Sequence, residues 1–235
     1  RMVSTASRVS INRAEGNLRV TAYFQDRADA GRRLASRLDG HRGAPSTVVV
    51  ALPRGGVPVA REVATHLALP LDILVVRKLG VPGNEEYAMG AIASGGVRVI
   101  NAHAVSLLRI GPETLEAVAF REGRELERRE RVLRRGHSAV DVRGKTVLLV
   151  DDGVATGSTL RAAVQSLRKR GARRVIAAVP TVAQDTLARL RSEVDEWVVL
   201  IAPPTFRSVG EWYASFPQVT DEEVAGMLDV EGKEP

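Results

Sequence analysis

Short apolar runs recur along this chain with helical stretches between them, and that alternation limits the possible folds more than any other feature. Residues 47–52 (TVVVAL), 71–76 (LDILVV), 145–150, 174–179 and 197–201 read as strands. Their near-continuous apolar character is that of strands covered on both faces rather than one. Segments 26–38, 57–67, 112–135, 158–170 and 184–191 carry the spacing of helices. End signals agree with these boundaries. Asp26 is an N-cap candidate, Pro112 suits a first helical position, and Arg168, Lys169 and Arg170 precede Gly171. Thr220 with Glu223 forms a capping box for a short last helix. Strands alternating with helices predict an α/β fold with a doubly wound, mainly parallel sheet and flanking helices. No internal repeat is present.

One stretch departs from this rhythm. Between Gly80 and Gly96 lie three further glycines and Pro82, too flexible a composition for core. Its second half predicts a hairpin, 89–93 returning as 97–101 around Ser94, Gly95 and Gly96.

Composition removes several chemistries. The 235 residues contain no Cys, which excludes disulfides, thiolate metal sites and cysteine nucleophiles. The four His lie far apart and form no ligand pair. No apolar run is long enough to span a bilayer and no secretory leader is visible, so a cytoplasmic protein is expected. Arg1 ahead of Met2 reads as the remnant of a tag. Residues 1–18 are expected to be such a remnant or a disordered leader, and 19–235 a single domain.

The net charge of +6 is localised. Residues 1–20 and 121–135 carry that excess between them. In the second stretch Glu125/Arg129, Glu127/Arg131 and Glu130/Arg134 are spaced as ion pairs along a solvated helix face. Nucleic acid is therefore not an expected partner.

The chemistry concentrates in residues 147–159, VLLVDDGVATGST. An apolar strand ends in Asp151 and Asp152, and a turn containing Gly157 opens a helix. Ligands of open α/β sheets bind at the carboxyl ends of strands. Backbone N–H groups at a helix start, together with the hydroxyls of Thr156, Ser158 and Thr159, suit a phosphate dianion. Gly157 would let the backbone approach that anion without a Cβ in the way. Two acids beside such a cradle would repel the phosphate, so vicinal hydroxyls of a sugar are their natural partners. A nucleotide-binding Walker loop needs a Lys after Gly157, and there is none. An aspartyl-phosphate receiver has no use for ATGST.

This segment resembles the phosphoribosyl-pyrophosphate (PRPP) signature of type I phosphoribosyltransferases. The resemblance implies that family's fold with a small variable hood built from terminal segments. It also implies that Asp151 and Asp152 contact the ribose, and that Ala155, Thr156, Gly157, Ser158 and Thr159 hold the 5-phosphate. Pro53-Arg54-Gly55-Gly56 falls where the family has its pyrophosphate loop, often with a non-proline cis peptide. Arg54, Gly55 and Gly56 become the pyrophosphate-binding candidates. RKLGVPGNEEYAMG is similar to the lid region of adenine phosphoribosyltransferases. That assigns Arg77 and Lys78 to the leaving group, Glu86 (or Glu85) to proton handling, and a flexible lid to about 79–96. The second Lys of that region is missing here.

Thr181 and Val182, and then Phe206, Trp212 and Tyr213, follow the last two strands as candidates to meet a base. A Lys that reads a purine oxygen in oxopurine enzymes has no counterpart among them. The implied activity is transfer of ribose-5-phosphate from PRPP to a nitrogenous base, with pyrophosphate released. Mg2+ would be carried by PRPP rather than by a dedicated metal site, and a homodimer is expected from the family's habit. The competing reading is a non-catalytic module that senses PRPP or a nucleotide, with nucleic acid on the Arg-rich helix as its possible partner. A PRPP-forming pyrophosphokinase would need a duplicated domain.

Overall fold

The computed structural model describes residues 23–229; the expected leader lies outside them. α1 (Arg27–Arg37) begins at Asp26, whose carboxylate accepts a 2.8 Å bond from the Asp29 N–H. β1 (Thr47–Ala51), α2 (Gly56–Leu67) and β2 (Leu71–Ile73) follow. The chain then leaves the central sheet for β3 (Val76–Val81), β4 (Asn84–Ala93) and β5 (Val97–Ile100), and continues through α3 (Ala102–Leu107) and α4 (Pro112–Arg134). It returns as β6 (Thr146–Val150), α5 (Ser158–Lys169), β7 (Arg174–Thr181), α6 (Gln184–Leu190) and β8 (Glu196–Ile201). A 3-10 turn at Val209–Trp212 and α7 (Asp221–Asp229) complete the described chain. The Thr220–Glu223 capping box forms, with bonds of 2.7 and 3.1 Å.

The central sheet is wholly parallel in the order β2-β1-β6-β7-β8. Every residue of β1 and β6 is buried, and alternate side chains serve opposite layers. Val49, Ala51, Leu148 and Val150 pack with α1, α2, α4 and α7. Val48, Val50, Val147 and Leu149 pack with α5 and α6. This is the doubly wound arrangement that the apolar runs predict. It brings the carboxyl ends of β1, β6 and β7 side by side.

Three expectations need correction. Residues 71–76 are two strands rather than one. β2 ends at Ile73, and β3 belongs to a separate antiparallel sheet ordered β3-β4-β5. The chain turns at Leu74 and Val75, where Val75 N–H donates to Ser94 Oγ at 2.9 Å and Ser94 N–H donates back to Val75 O at 2.9 Å. The segment from Gly80 to Gly96 is also not kept out of the core. Met89 is fully buried, and Ile92 and Ala93 are nearly so, because both faces of β4 are covered: Met89 and Ile92 belong to the apolar cluster shared with α4, and Ala93 to the one shared with α5. The hairpin itself forms as expected, with Ala93 opposite Val97.

The Arg-rich helix is solvated along only part of its length. Glu130 pairs with Arg134 at 2.9 Å as its spacing predicts, but Glu125 takes Arg128 instead of Arg129. Arg134 is buried and bonds Asp72 of β2 (2.5 Å) and the Ile73 carbonyl (2.7 Å).

Candidate functional site

At the end of β6 the chain passes through Asp151 and Asp152, and the main-chain N–H of Asp152 donates to Oδ1 of Asp151 at 2.9 Å. The loop after β1 lies directly against this pair. A Cβ on Gly55 would stand 1.9 Å from Asp152 Oδ2, and one on Gly56 would stand 2.9 Å from the Cα of Asp151. Only glycines permit that approach. The Pro53–Arg54 peptide is cis. From α1, Arg27 Nε donates to Asp152 Oδ2 at 2.8 Å, and the Tyr213 hydroxyl donates to the Asp152 carbonyl at 2.5 Å.

Crowding two carboxyls here has an electrostatic result. Burial pushes the Asp151 carboxyl well above the usual carboxylate range, and the neighbouring charge of Asp152 adds to this. Asp152 is also raised by burial, but the hydrogen bond and charge of Arg27 oppose the rise. Burial and mutual repulsion thus act hardest on Asp151, while Arg27 favours the charged form of Asp152. Burial, with the Asp152 charge next, raises the Tyr213 phenol too, so it stays a donor.

The turn beyond the acids is open. Ala155, Thr156, Ser158 and Thr159 are exposed, and Thr156 Oγ1 lies 3.3 Å from Ser158 Oγ. No side chain caps α5 among the described residues, which leaves its first N–H groups without a side-chain partner. Gly157 holds φ +77°, and a Cβ there would meet Leu190 Cδ1 at 2.3 Å and Thr186 Cγ2 at 2.9 Å. The glycine is thus required by backbone conformation and by the seating of α6, not by clearance on the ligand side. α6 anchors the turn from behind. Thr186 Oγ1 donates to the Ala155 carbonyl at 2.6 Å and Arg189 to the Thr156 carbonyl at 2.9 Å.

A cavity of about 510 Å³ opens beside the turn, between α5 and the small sheet. Lys78, Gly90, Ile100, Ser158 and Arg161 are among the residues lining it.

Comparison with known proteins decides the family. The description of the phosphoribosyl transferase domain matches residues 20–205. The chain belongs to that family. Two Mycobacterium tuberculosis proteins, one from each of two strains, are each 47% identical over 206 residues. Their names assign them provisionally to the phosphoribosyl transferases. The match covers 88% of this chain but 46% of either relative, so the chain spans about half their length. The solved structure of TT1426 from Thermus thermophilus superposes with a TM-score of 0.78 at 42% identity, covering 87% of this chain and 97% of that one. A ribose-phosphate pyrophosphokinase of Pyrococcus furiosus is 43% identical over 68 residues, 28% of this chain and 24% of its own length.

Within this phosphoribosyl transferase domain the remaining expected residues are dispersed. Arg54 is half-buried and reaches Asp221 of α7 at 3.4 Å. Arg77 is held by Glu122 through two bonds of 2.6 and 3.1 Å, while Lys78 lines the cavity. Glu86 and Glu85 are in β4, but their side chains lie outside the described residues. Thr181 and Val182 are fully buried. The hydroxyl of Thr181 has no hydrogen-bond partner among the described residues, nor has the Trp212 indole N–H. The rings of Phe206 and Trp212 are 6.1 Å apart. Tyr213 is buried against Phe24 and Phe216.

Arg27 and Phe216 are the residues that sequence reasoning missed. Arg27 follows an N-cap and looks like any helix cation. Its partner is 125 residues away, and no local spacing could reveal that contact.

Proposed function

We propose that this domain binds PRPP with Mg2+ and transfers its ribose-5-phosphate to a nitrogenous-base acceptor, releasing pyrophosphate. One observation carries the reading: the Gly55–Gly56 loop lies in van der Waals contact with the acid pair, while the hydroxyl-lined turn before α5 stays open. A ligand joining a diol, a monophosphate and a diphosphate fits three such neighbours. Asp152 would accept from one ribose hydroxyl, and the Asp151 carboxyl would meet the other. The exposed hydroxyls and N–H groups from Thr156 to Thr159 would take the 5-phosphate.

The bond from C1 to the pyrophosphate oxygen breaks and a C1–N bond to the acceptor forms. Negative charge therefore gathers on the leaving group. Arg54, Lys78 and the N–H groups of Gly55 and Gly56 would stabilise it, the kind of electrostatic effect that usually dominates. Among the described residues no cluster of three His, Cys, Asp or Glu could hold a metal ion. Mg2+ would arrive as part of the PRPP chelate. No described helix is long and apolar enough to cross a membrane. The homodimer expected of the family is part of the proposal, and sedimentation would test it.

Calorimetry with PRPP and Mg2+, followed by a screen of bases for pyrophosphate release, tests the reading. Binding of PRPP that ribose-5-phosphate competes away, and that Asp152→Asn abolishes, is the expected result. Absence of PRPP binding would overturn it. Tight binding with no pyrophosphate released by any base would make the domain a PRPP sensor instead.

A further inference from the structure

The acid pair is held from an unexpected direction. Arg27, the first residue of α1, is 8% exposed, and its guanidinium is engaged from two segments, the turn after β6 and the chain at Phe216–Pro217. Nε meets Asp152 Oδ2 at 2.8 Å, one terminal nitrogen donates to the Pro217 carbonyl at 2.7 Å, and the carbon of the fork lies 3.6 Å from the centre of the Phe216 ring. The same hood segment sends the Tyr213 hydroxyl to the Asp152 main chain. Residues near both ends of the described chain thus converge around Asp152, Arg27 on its carboxylate and Tyr213 on its main-chain carbonyl. Gly55 lies against the Oδ2 that Arg27 binds, where a Cβ would stand 1.9 Å away.

We propose that Arg27 is the positioning residue of the sugar-diol site, fixing the Asp152 carboxylate as a charged acceptor and tying it to the seated hood. The inference rests on the function proposed above. Geometry makes the case. A planar fork that is stacked, hydrogen-bonded at its side and paired at its edge holds its partner more rigidly than an ammonium could. Removing it would free the carboxylate to rotate beside Asp151, and would detach the hood from the sugar site.

The groups facing Asp152 are Arg27 of α1, Asp151 of its own turn and Tyr213 of the hood. Arg54 on the adjoining loop is turned to Asp221. Arg27 opposes the burial-driven rise of Asp152, so its loss lets that carboxyl hold a proton to higher pH.

The test is PRPP binding by calorimetry in Mg2+ across pH for the parent, Arg27→Gln, Arg27→Lys and Asp152→Asn. Arg27→Gln is expected to weaken binding at least tenfold and to move the acidic limb of the binding profile to higher pH. Arg27→Lys should keep the limb near the parent's position while recovering only part of the affinity, since it restores charge without the fork. A merely structural role would lower Tm without moving the limb. Parent-like affinity and pH profile in Arg27→Gln, with binding lost in Asp152→Asn, would overturn the inference and leave the functional reading intact. Parent-like binding in both would overturn the functional reading. Should Arg27→Gln not fold, parent-like affinity in Arg27→Lys overturns the positioning role, and partial affinity supports it.

Discussion

Gly55 and Asp152 touch so closely that no side chain fits between them: a Cβ on the glycine would lie 1.9 Å from the carboxylate oxygen that Arg27 binds. Gly55 has φ −61° and ψ −32°, conformation open to any residue, so Gly55→Ala isolates the steric effect from backbone strain. The methyl must push the carboxylate aside, and PRPP affinity is expected to fall about tenfold or more. Gly56→Ala should behave differently. Its Cβ meets the Asp151 Cα and the Val150 carbonyl at 2.9 Å, backbone that cannot yield, and overpacking of this kind costs about 1–3 kcal/mol of stability. Calorimetry and urea unfolding on the two variants would separate a ligand defect from a folding defect.

Burial, with the Asp152 charge next, pushes the Asp151 carboxyl above its ordinary range, and that has a stability consequence of definite sign. Its folded-state pKa lies above its unfolded value, so between the two the native state binds more protons than the unfolded one. Stability therefore falls as pH rises through that window. Asp151→Asn removes the cost of ionising a buried carboxyl. Its Tm is expected to exceed the parent's at neutral pH, with the gap closing toward acid, while PRPP binding is lost. Thermal melts across pH check the first part, and a variant no more stable than the parent would contradict it.

Whatever depends on neighbours in the chain was legible before any coordinates. Asp151, Asp152 and the turn to Thr159 lie in one run, and the apolar strands announced a sheet covered on both faces. Contacts between distant segments were not legible. Apolar residues such as Leu74 and Val75 are equally at home in one long strand or at the bend between two sheets. Glycine content around Met89 spoke for mobility, although Met89, Ile92 and Ala93 of β4 are core. The Arg27–Asp152 contact depends on how α1 docks, which sequence spacing does not encode.

Gly157 tests whether the phosphate turn depends on α6. Gly157→Ala places a methyl 2.3 Å from Leu190 Cδ1 and keeps a left-handed φ of +77°, a conformation costing a non-glycine residue about 1–2 kcal/mol. The clash should add to that cost, and both should loosen the Thr186 and Arg189 bonds that anchor the turn. Pairing Gly157→Ala with Leu190→Ala removes the 2.3 Å clash, but not the 2.9 Å approach to Thr186 Cγ2 or the backbone penalty. A double mutant that regains ribose-5-phosphate binding relative to Gly157→Ala alone would establish α6 packing as the cause. Equal losses in both would assign the defect to φ and the Thr186 contact rather than to Leu190.

Asp72 offers the clearest stability test away from the acid pair. Its Oδ1 accepts from Arg134 at 2.5 Å and from the Ile73 N–H at 2.7 Å, and its Oδ2 accepts from the Val140 N–H at 2.8 Å. One side chain thereby ties β2 to the end of α4 and to the loop leading to β6. Asp72→Ala orphans two main-chain donors and leaves Arg134, itself buried, with Glu130 as its remaining carboxylate partner. Breaking a buried pair from one side costs about 3–5 kcal/mol. Arg134→Met should cost less, because Asp72 keeps both N–H donors to hold its charge. Neither change touches a residue contacting Asp151 or Asp152, so PRPP affinity below the melting transition should match the parent's. Urea unfolding in which Arg134→Met proved the more damaging of the two would show that the guanidinium, rather than the carboxylate, organises this junction.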